Sequence, residues 1–116
     1  MKPARSPVEV VQQQLDDYNR HDLAAFVANY AEGITVYRLP SLEPSIVGKE
    51  AFARLYGTTR FNLPGLRAEL VNRIAFGNKV IDHERVFGVR PEPFEVAAAY
   101  EVRDGLIVTA WFLAGE

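Results

Sequence analysis

A chain of 116 residues, 48% of them apolar, is long enough to bury one core and too short for two. Its formal net charge of −2, with acids and bases interspersed, leaves no basic face for nucleic acid or an anionic membrane. The absence of cysteine excludes disulfides, thiolate nucleophiles and thiolate metal ligands, and fits a reducing compartment, so the expected location is cytoplasmic. No apolar run nears the roughly 18 residues of a membrane helix, and no signal-type apolar stretch follows Met1-Lys2-Pro3-Ala4-Arg5.

Ser6-Pro7-Val8-Glu9 combines an N-cap acceptor, a proline at the first helical position and a carboxylate at N3. This capping box predicts a helix from Pro7 and leaves residues 1–5 as a loose tail. Val8, Val11, Leu15 and Tyr18 recur at helical spacing, with Gln12, Gln13, Asp16 and Asp17 on the other side, and Asn19-Arg20-His21 ends the helix. Asp22 reads as the cap of a second helix in preference to a catalytic acid. That helix carries Leu23, Phe26, Val27 and Tyr30 as its buried stripe and stops at Gly33. Residues 34–39, β-branched and aromatic, predict a strand, and residues 40–48, with two prolines, a loop. A third helix is expected from about Lys49, with Phe52, Leu55 and Tyr56 on one face and Gly57 as its cap.

From Leu66 the period changes to two. Strands are expected over 66–76, 79–89, 94–103 and 106–114, separated by Gly77-Asn78, Pro91-Glu92-Pro93 and Asp104-Gly105. Links this short force antiparallel neighbours, so the second half is a meander. With no repeat or linker in view, residues 1–116 form one α+β domain. Alternation puts Ile81, His83, Arg85 and Phe87 on one face of their strand and Val80, Asp82, Glu84 and Val86 on the other. Asp82-His83-Glu84 therefore cannot close on one ion, and neither a metal site nor another cofactor is expected.

The order helix, helix, strand, helix and four antiparallel strands is that of the nuclear transport factor 2-like superfamily, which the chain resembles from about Val8 to Leu113. Tyr18-Asn19-Arg20-His21-Asp22-Leu23 is similar to the family's first helix junction, and Tyr30-Ala31-Glu32-Gly33-Ile34-Thr35-Val36-Tyr37 to its entry into the first strand. Gly48-Lys49-Glu50-Ala51-Phe52 resembles the third-helix start, and Tyr100-Glu101-Val102-Arg103-Asp104-Gly105-Leu106-Ile107 the last hairpin. The resemblance implies a cystatin-like cone, three N-terminal helices packed on a curved antiparallel sheet around a pocket, and a homodimer formed through the convex sheet face. The same scaffold serves steroid isomerases, polyketide cyclases, epoxide hydrolases, dehydratases and non-catalytic binding proteins, so the fold alone does not select an activity.

Matched to the family, the His83 and Arg85 face is the concave one, joined by Asn72, Ile74 and Phe76, by Ala98, Tyr100 and Val102, and by Val108, Ala110 and Phe112. Gln14, Tyr18, Phe26, Tyr30 and Tyr56 reach inward from the helices. Trp111 lies outside unless a bulge reverses it. His83 reads either as a general acid or base or as a hydrogen-bonded interior histidine. Arg85 reads either as an anchor for a polar ligand or as half of an internal salt bridge. The tyrosines are first of all packing residues.

The ketosteroid isomerase carboxylates are absent, since Arg38 or its neighbour, Gln14 and Ala98 occupy the matching positions and Tyr56 alone survives. Limonene-type epoxide hydrolases match at Tyr37 and Arg85, but Phe87 and Phe112 stand where their aspartates should be. SnoaL-like polyketide cyclases remain as the enzymatic comparison, with no catalytic carboxylate evident on the concave face. The expected catalytic set is then His83, with Arg85 or Tyr37 stabilising an enolate. The expected ligand-binding set is Gln14, Tyr18, Tyr56, Asn72, Phe87, Tyr100 and Phe112. The ligand is a small, largely apolar or carbonyl-containing molecule, and the chain is either an isomerase or cyclase that moves a proton or a non-catalytic binding or dimerisation domain.

Overall fold

The computed structural model describes residues 5–115. Its elements are α1 (Pro7–Asn19), α2 (Leu23–Val27), β1 (Tyr30–Arg38), β2 (Pro44–Val47), α3 (Lys49–Thr59), β3 (Arg67–Phe76), β4 (Lys79–Phe87), β5 (Phe94–Arg103) and β6 (Leu106–Ala114). The α1 capping box is formed: Glu9 N donates to Ser6 Oγ at 3.2 Å and Ser6 N donates to Glu9 Oε1 at 2.7 Å. Of the expected loose tail, residues 1–4 lie outside the described residues. Arg5 is held, donating to Asn29 Oδ1 at 2.8 Å and to the Gly105 carbonyl at 3.0 Å.

The buried stripe of α1 differs from the expected one. Val8 is exposed, whereas Val10, Val11, Gln14 and Leu15 are buried, and so is Asp17. Asp17 goes inside because its carboxylate accepts from Gln13 and Asn29, each at 2.9 Å, and from Arg20; a buried charge is tolerated when it is paired in this way. α2 ends sooner than the apolar spacing suggests. The Asn29 side chain donates to the Ala25 and Phe26 carbonyls and closes the helix, so that Tyr30 opens β1 instead of continuing the helix. α3 runs through Gly57, which is a packing residue and not a cap: a Cβ there would lie 3.1 Å from Leu23 Cδ2.

The sheet has six strands in the order β2-β1-β6-β5-β4-β3. β3 to β6 form the expected antiparallel meander, and Asp104 (φ 52°) and Gly105 (φ 77°) supply the two positive φ angles of a tight hairpin turn. The sheet as a whole is mixed, not antiparallel, because β1 runs parallel to β6. The long excursion through α3 and the meander is the crossover that a parallel neighbour requires. The expected loop over 40–48 contains the edge strand β2, whose Pro44 sits at its first position, where no ladder donor is needed.

The helices cover one face of the sheet. Ile34 and Val36 of β1, Val80 and Val86 of β4, Ala98, Tyr100 and Val102 of β5, and Ala110 of β6 are buried on that inner face. Above them Phe26, Tyr30, Phe52 and Tyr56 make one aromatic cluster, with centroid separations from 4.4 Å to 5.8 Å.

Candidate functional site

The inner face of β4 carries Val80, Asp82, Glu84 and Val86, all buried. The expectation that Ile81, His83, Arg85 and Phe87 face inward is therefore reversed. Asn72, Ile74 and Phe76 of β3 are reversed with them, and between Leu70, which pairs with Glu84, and Asn72, which pairs with His83, the register shifts by a bulge. On the turn side of that bulge the register runs unbroken, so Asn72, Ile74 and Phe76 go to the outer face together with His83, and Arg73 points inward opposite Asp82. Arg73 donates to Asp82 through Nε at 2.7 Å and Nη2 at 2.9 Å, and through Nη1 to Gln12 Oε1 at 2.9 Å.

Between the helices and this inner face lies a cavity of about 80 Å³, room for several water molecules or for part of a small ligand. Gln14, Leu15 and Tyr18 of α1, Phe26 of α2, and Tyr56 with Arg60 at the end of α3 line it from the helical side. From the sheet come Tyr30 and Arg38, Ala68, Glu84 and Val86, Phe94, Val96 and Tyr100, and Phe112. The register brings Arg38 beside Phe112, with the guanidinium carbon 5.8 Å from the ring centroid.

One polar pair in the lining satisfies itself. Tyr30 Oη donates to Gln14 Oε1 at 2.8 Å, and Gln14 Nε2 donates to the Val11 carbonyl at 3.0 Å. Four other groups behave differently. Among the described residues the Glu84 carboxylate and the Tyr18, Tyr56 and Tyr100 hydroxyls take no hydrogen bond from the protein, although none of the fully occluded side-chain polar atoms lacks a partner. Their oxygens thus keep open surface, and the cavity is the space they line.

Burial, then the neighbouring Asp82 charge, raises the Glu84 carboxyl to about 7, against the opposing pull of Arg73. Burial also raises Tyr18, Tyr30, Tyr56 and Tyr100, so all four remain neutral phenols and hydrogen-bond donors at neutral pH. A carboxyl half-ionised near neutrality can both take and return a proton, and phenols beside it can stabilise an oxyanion.

Of the residues singled out from the sequence, Gln14, Tyr18, Tyr56, Tyr100 and Phe112 line this cavity, as do Phe26 and Tyr30. His83, Arg85, Tyr37, Asn72 and Phe87 do not, because they stand on the outer face. His83 Nε2 lies 2.5 Å from Glu95 Oε1, and its side chain is 45% exposed, so it is no interior base. Arg85 Nη1 is 3.5 Å from Glu69 Oε1, Phe87 packs under Arg67 at 4.7 Å, and Tyr37 stacks on Trp111 at 6.3 Å. Trp111 is outside, as expected. His83 and Glu95 do border a wider surface groove of about 360 Å³ with Leu113 and Gly115. Among the described residues no group of three or more His, Asp or Glu side chains is placed to hold a metal ion.

The sequence reading missed Glu84, Arg38 and Arg60 as lining residues. A signal for the face existed. The Gly77-Asn78 turn sets Phe76 opposite Lys79 and hence Arg73 opposite Asp82, an ion pair able to satisfy itself indoors and so to mark the Asp82 and Glu84 side as the buried one.

Helices laid across one face of a six-stranded mixed sheet, enclosing a tyrosine-lined cavity, define a nuclear transport factor 2-like, cystatin-type domain. The same architecture occurs in an NTF2-like protein from Mesorhizobium loti, 21% identical with a TM-score of 0.80, the match covering 100% of this chain and 98% of that one. It occurs in a cystatin fold protein from Novosphingobium aromaticivorans, at 20% identity, TM-score 0.81 and coverage of 94% and 98%. An LEH-like epoxide hydrolase from M. tuberculosis shares it at 18% identity, TM-score 0.75 and coverage of 94% and 82%. The sequence profile of the SnoaL-like domain matches residues 11–110, and the chain belongs to that family. No curated protein matches it.

Proposed function

We propose that this chain is a proton-transfer enzyme of isomerase or cyclase type, acting on a small, largely apolar carbonyl compound with Glu84 as its acid–base group. The observation that carries the reading is the placement of Glu84: a buried carboxylate without a protein hydrogen bond, open to a cavity ringed by tyrosine hydroxyls. The Glu84 carboxylate takes the proton from the carbon next to the carbonyl, and the electron pair moves onto the carbonyl oxygen. Tyr18, Tyr56 or Tyr100 donates a hydrogen bond to that enolate. The neutral Glu84 acid then returns the proton to a different carbon; alternatively the enolate carbon attacks a second carbonyl and closes a ring, and the neutral Glu84 acid gives its proton to the alkoxide formed there. Burial, with Asp82 and Arg73 pulling in opposite directions, sets the Glu84 midpoint, and neither Asp82 nor Arg73 is assigned a contact with substrate.

His83 drops out of this role because it is exposed and bound to Glu95. A homodimer through the outer sheet face belongs to the same reading, supported by Ile74, Phe76 and Leu113, which are half-exposed there. The alternative is a domain that binds such a molecule without turning it over. Deuterium uptake from D₂O into a panel of small ketones separates the two. Glu84→Gln should slow exchange by about a hundredfold or more, the scale of one general base, while His83→Ala leaves it unchanged. Exchange that survives in Glu84→Gln, or disappears in His83→Ala, contradicts the assignment.

A further inference from the structure

Eight described lysine and arginine side chains lie within 4.0 Å of a carboxylate oxygen. Arg38 and Arg60, the two cations that line the cavity, have no carboxylate partner among the described residues. Arg38 meets only the face of Phe112, and Arg60 Nη1 donates to the Thr59 carbonyl at 3.0 Å. They come from unconnected places, the last residue of β1 and the residue after α3, and converge on the space beside Tyr56. Both retain solvent exposure, whereas Gln14, Tyr30, Glu84 and Tyr100, which also line the cavity, are buried. The lining is therefore polarised, with two uncompensated guanidiniums among its solvent-exposed residues and the Glu84 acid among its buried ones.

Two like charges brought to one low-dielectric opening repel each other and are stabilised by an anion that accepts from both. Guanidinium is also the group whose planar donors fit a carboxylate. We propose that the ligand is a small organic acid, a carbonyl compound whose carboxylate is held at the mouth by Arg38 and Arg60 while its apolar body enters toward Tyr100 and Glu84. This deepens the proton-transfer reading, from which it takes the carbonyl. The anion site itself stands on the arginines alone. It also gives the reaction an orientation, since a carboxylate fixed at the mouth directs the opposite end of the molecule toward Glu84.

The test compares phenylacetate with its neutral counterpart phenylacetamide by calorimetry, about one pH unit below the Glu84 midpoint, so that the carboxyl is largely protonated. Phenylacetate should bind about tenfold tighter or better, the worth of a charge-assisted contact, and the preference should shrink as salt is raised. Arg38→Gln/Arg60→Gln should abolish the preference while leaving phenylacetamide binding as it was. Equal binding of the two probes, a preference that persists in the double variant, or no detectable binding of either probe overturns the anion site. In Glu84→Gln the preference should persist. A variant that loses deuterium exchange but keeps the preference supports both claims, and loss of exchange with no preference removes the anion site alone.

Discussion

Replacing Glu84 with glutamine should stabilise the chain at alkaline pH and leave it nearly unchanged in acid. In the folded chain, burial and Asp82 raise the Glu84 carboxyl from the ordinary 4.5 to about 7. Below about 4.5 the group is protonated in both folded and unfolded chains, and it lends no pH dependence. Between the two values the unfolded chain ionises first, the folded chain holds the extra proton, and stability falls by about 1.4 kcal/mol per pH unit. Above about 7 the whole difference is expressed, a loss of about 3 kcal/mol. That is a large share of the roughly 5–15 kcal/mol of a small domain. Glu84→Gln has no ionisation to suppress, so its curve lacks this fall. Urea unfolding followed by the fluorescence of Trp111, the single tryptophan, would measure both proteins from about pH 4 to about pH 9. The gap in favour of the variant should open from near zero to about 3 kcal/mol. Parallel curves across that range would refute the claim that Glu84 is buried at the cost of its charge.

The Arg73 and Asp82 pair should resist single but not paired replacement. Arg73→Met strands a fully buried carboxylate and should cost about 3–5 kcal/mol in denaturant unfolding, much of it recovered in Arg73→Met/Asp82→Leu. A single variant costing under about 1 kcal/mol would speak against the pair. Asp82→Asn removes the like charge beside Glu84 and should move the Glu84 midpoint below about 7, read as a shift of the acidic, rising limb of any pH–rate profile to lower pH. Gly88→Ala meets a φ of +83° and a Cβ 2.2 Å from the Gly65 carbonyl oxygen, and should lower stability by at least about 2 kcal/mol in thermal unfolding.

Much of the architecture was legible because it is written in local chemistry. The Ser6 and Glu9 capping box, the Asp22 cap and the Asp104-Gly105 turn each depend on neighbouring residues only, and each stands where expected. What failed was non-local. Strand alternation divides β4 into two sets but does not say which set the helices cover, and a one-residue error exchanges His83 and Arg85 for Asp82 and Glu84. Asn72, grouped with His83 by the Gly77-Asn78 turn, went to the wrong face with it, while the β3 bulge, which has no glycine or proline to announce it, shifts the residues from Leu70 back toward Arg67. The parallel pairing of β1 with β6 joins segments at opposite ends of the chain and is set by the whole packing. Helix residues fared better: Tyr18 and Tyr56 stood on the expected helical faces, Gln14 came from the family resemblance, and all three line the cavity.

The central claim is that Glu84 exchanges its proton near neutrality inside a tyrosine-lined cavity. The most direct test is an NMR titration of the glutamate side-chain carboxyl carbons, with the Glu84 resonance assigned by its disappearance in Glu84→Gln. A midpoint near about 7 is the predicted result. A midpoint at the ordinary carboxylate value of 4.5 would contradict it and leave the cavity without an acid–base group.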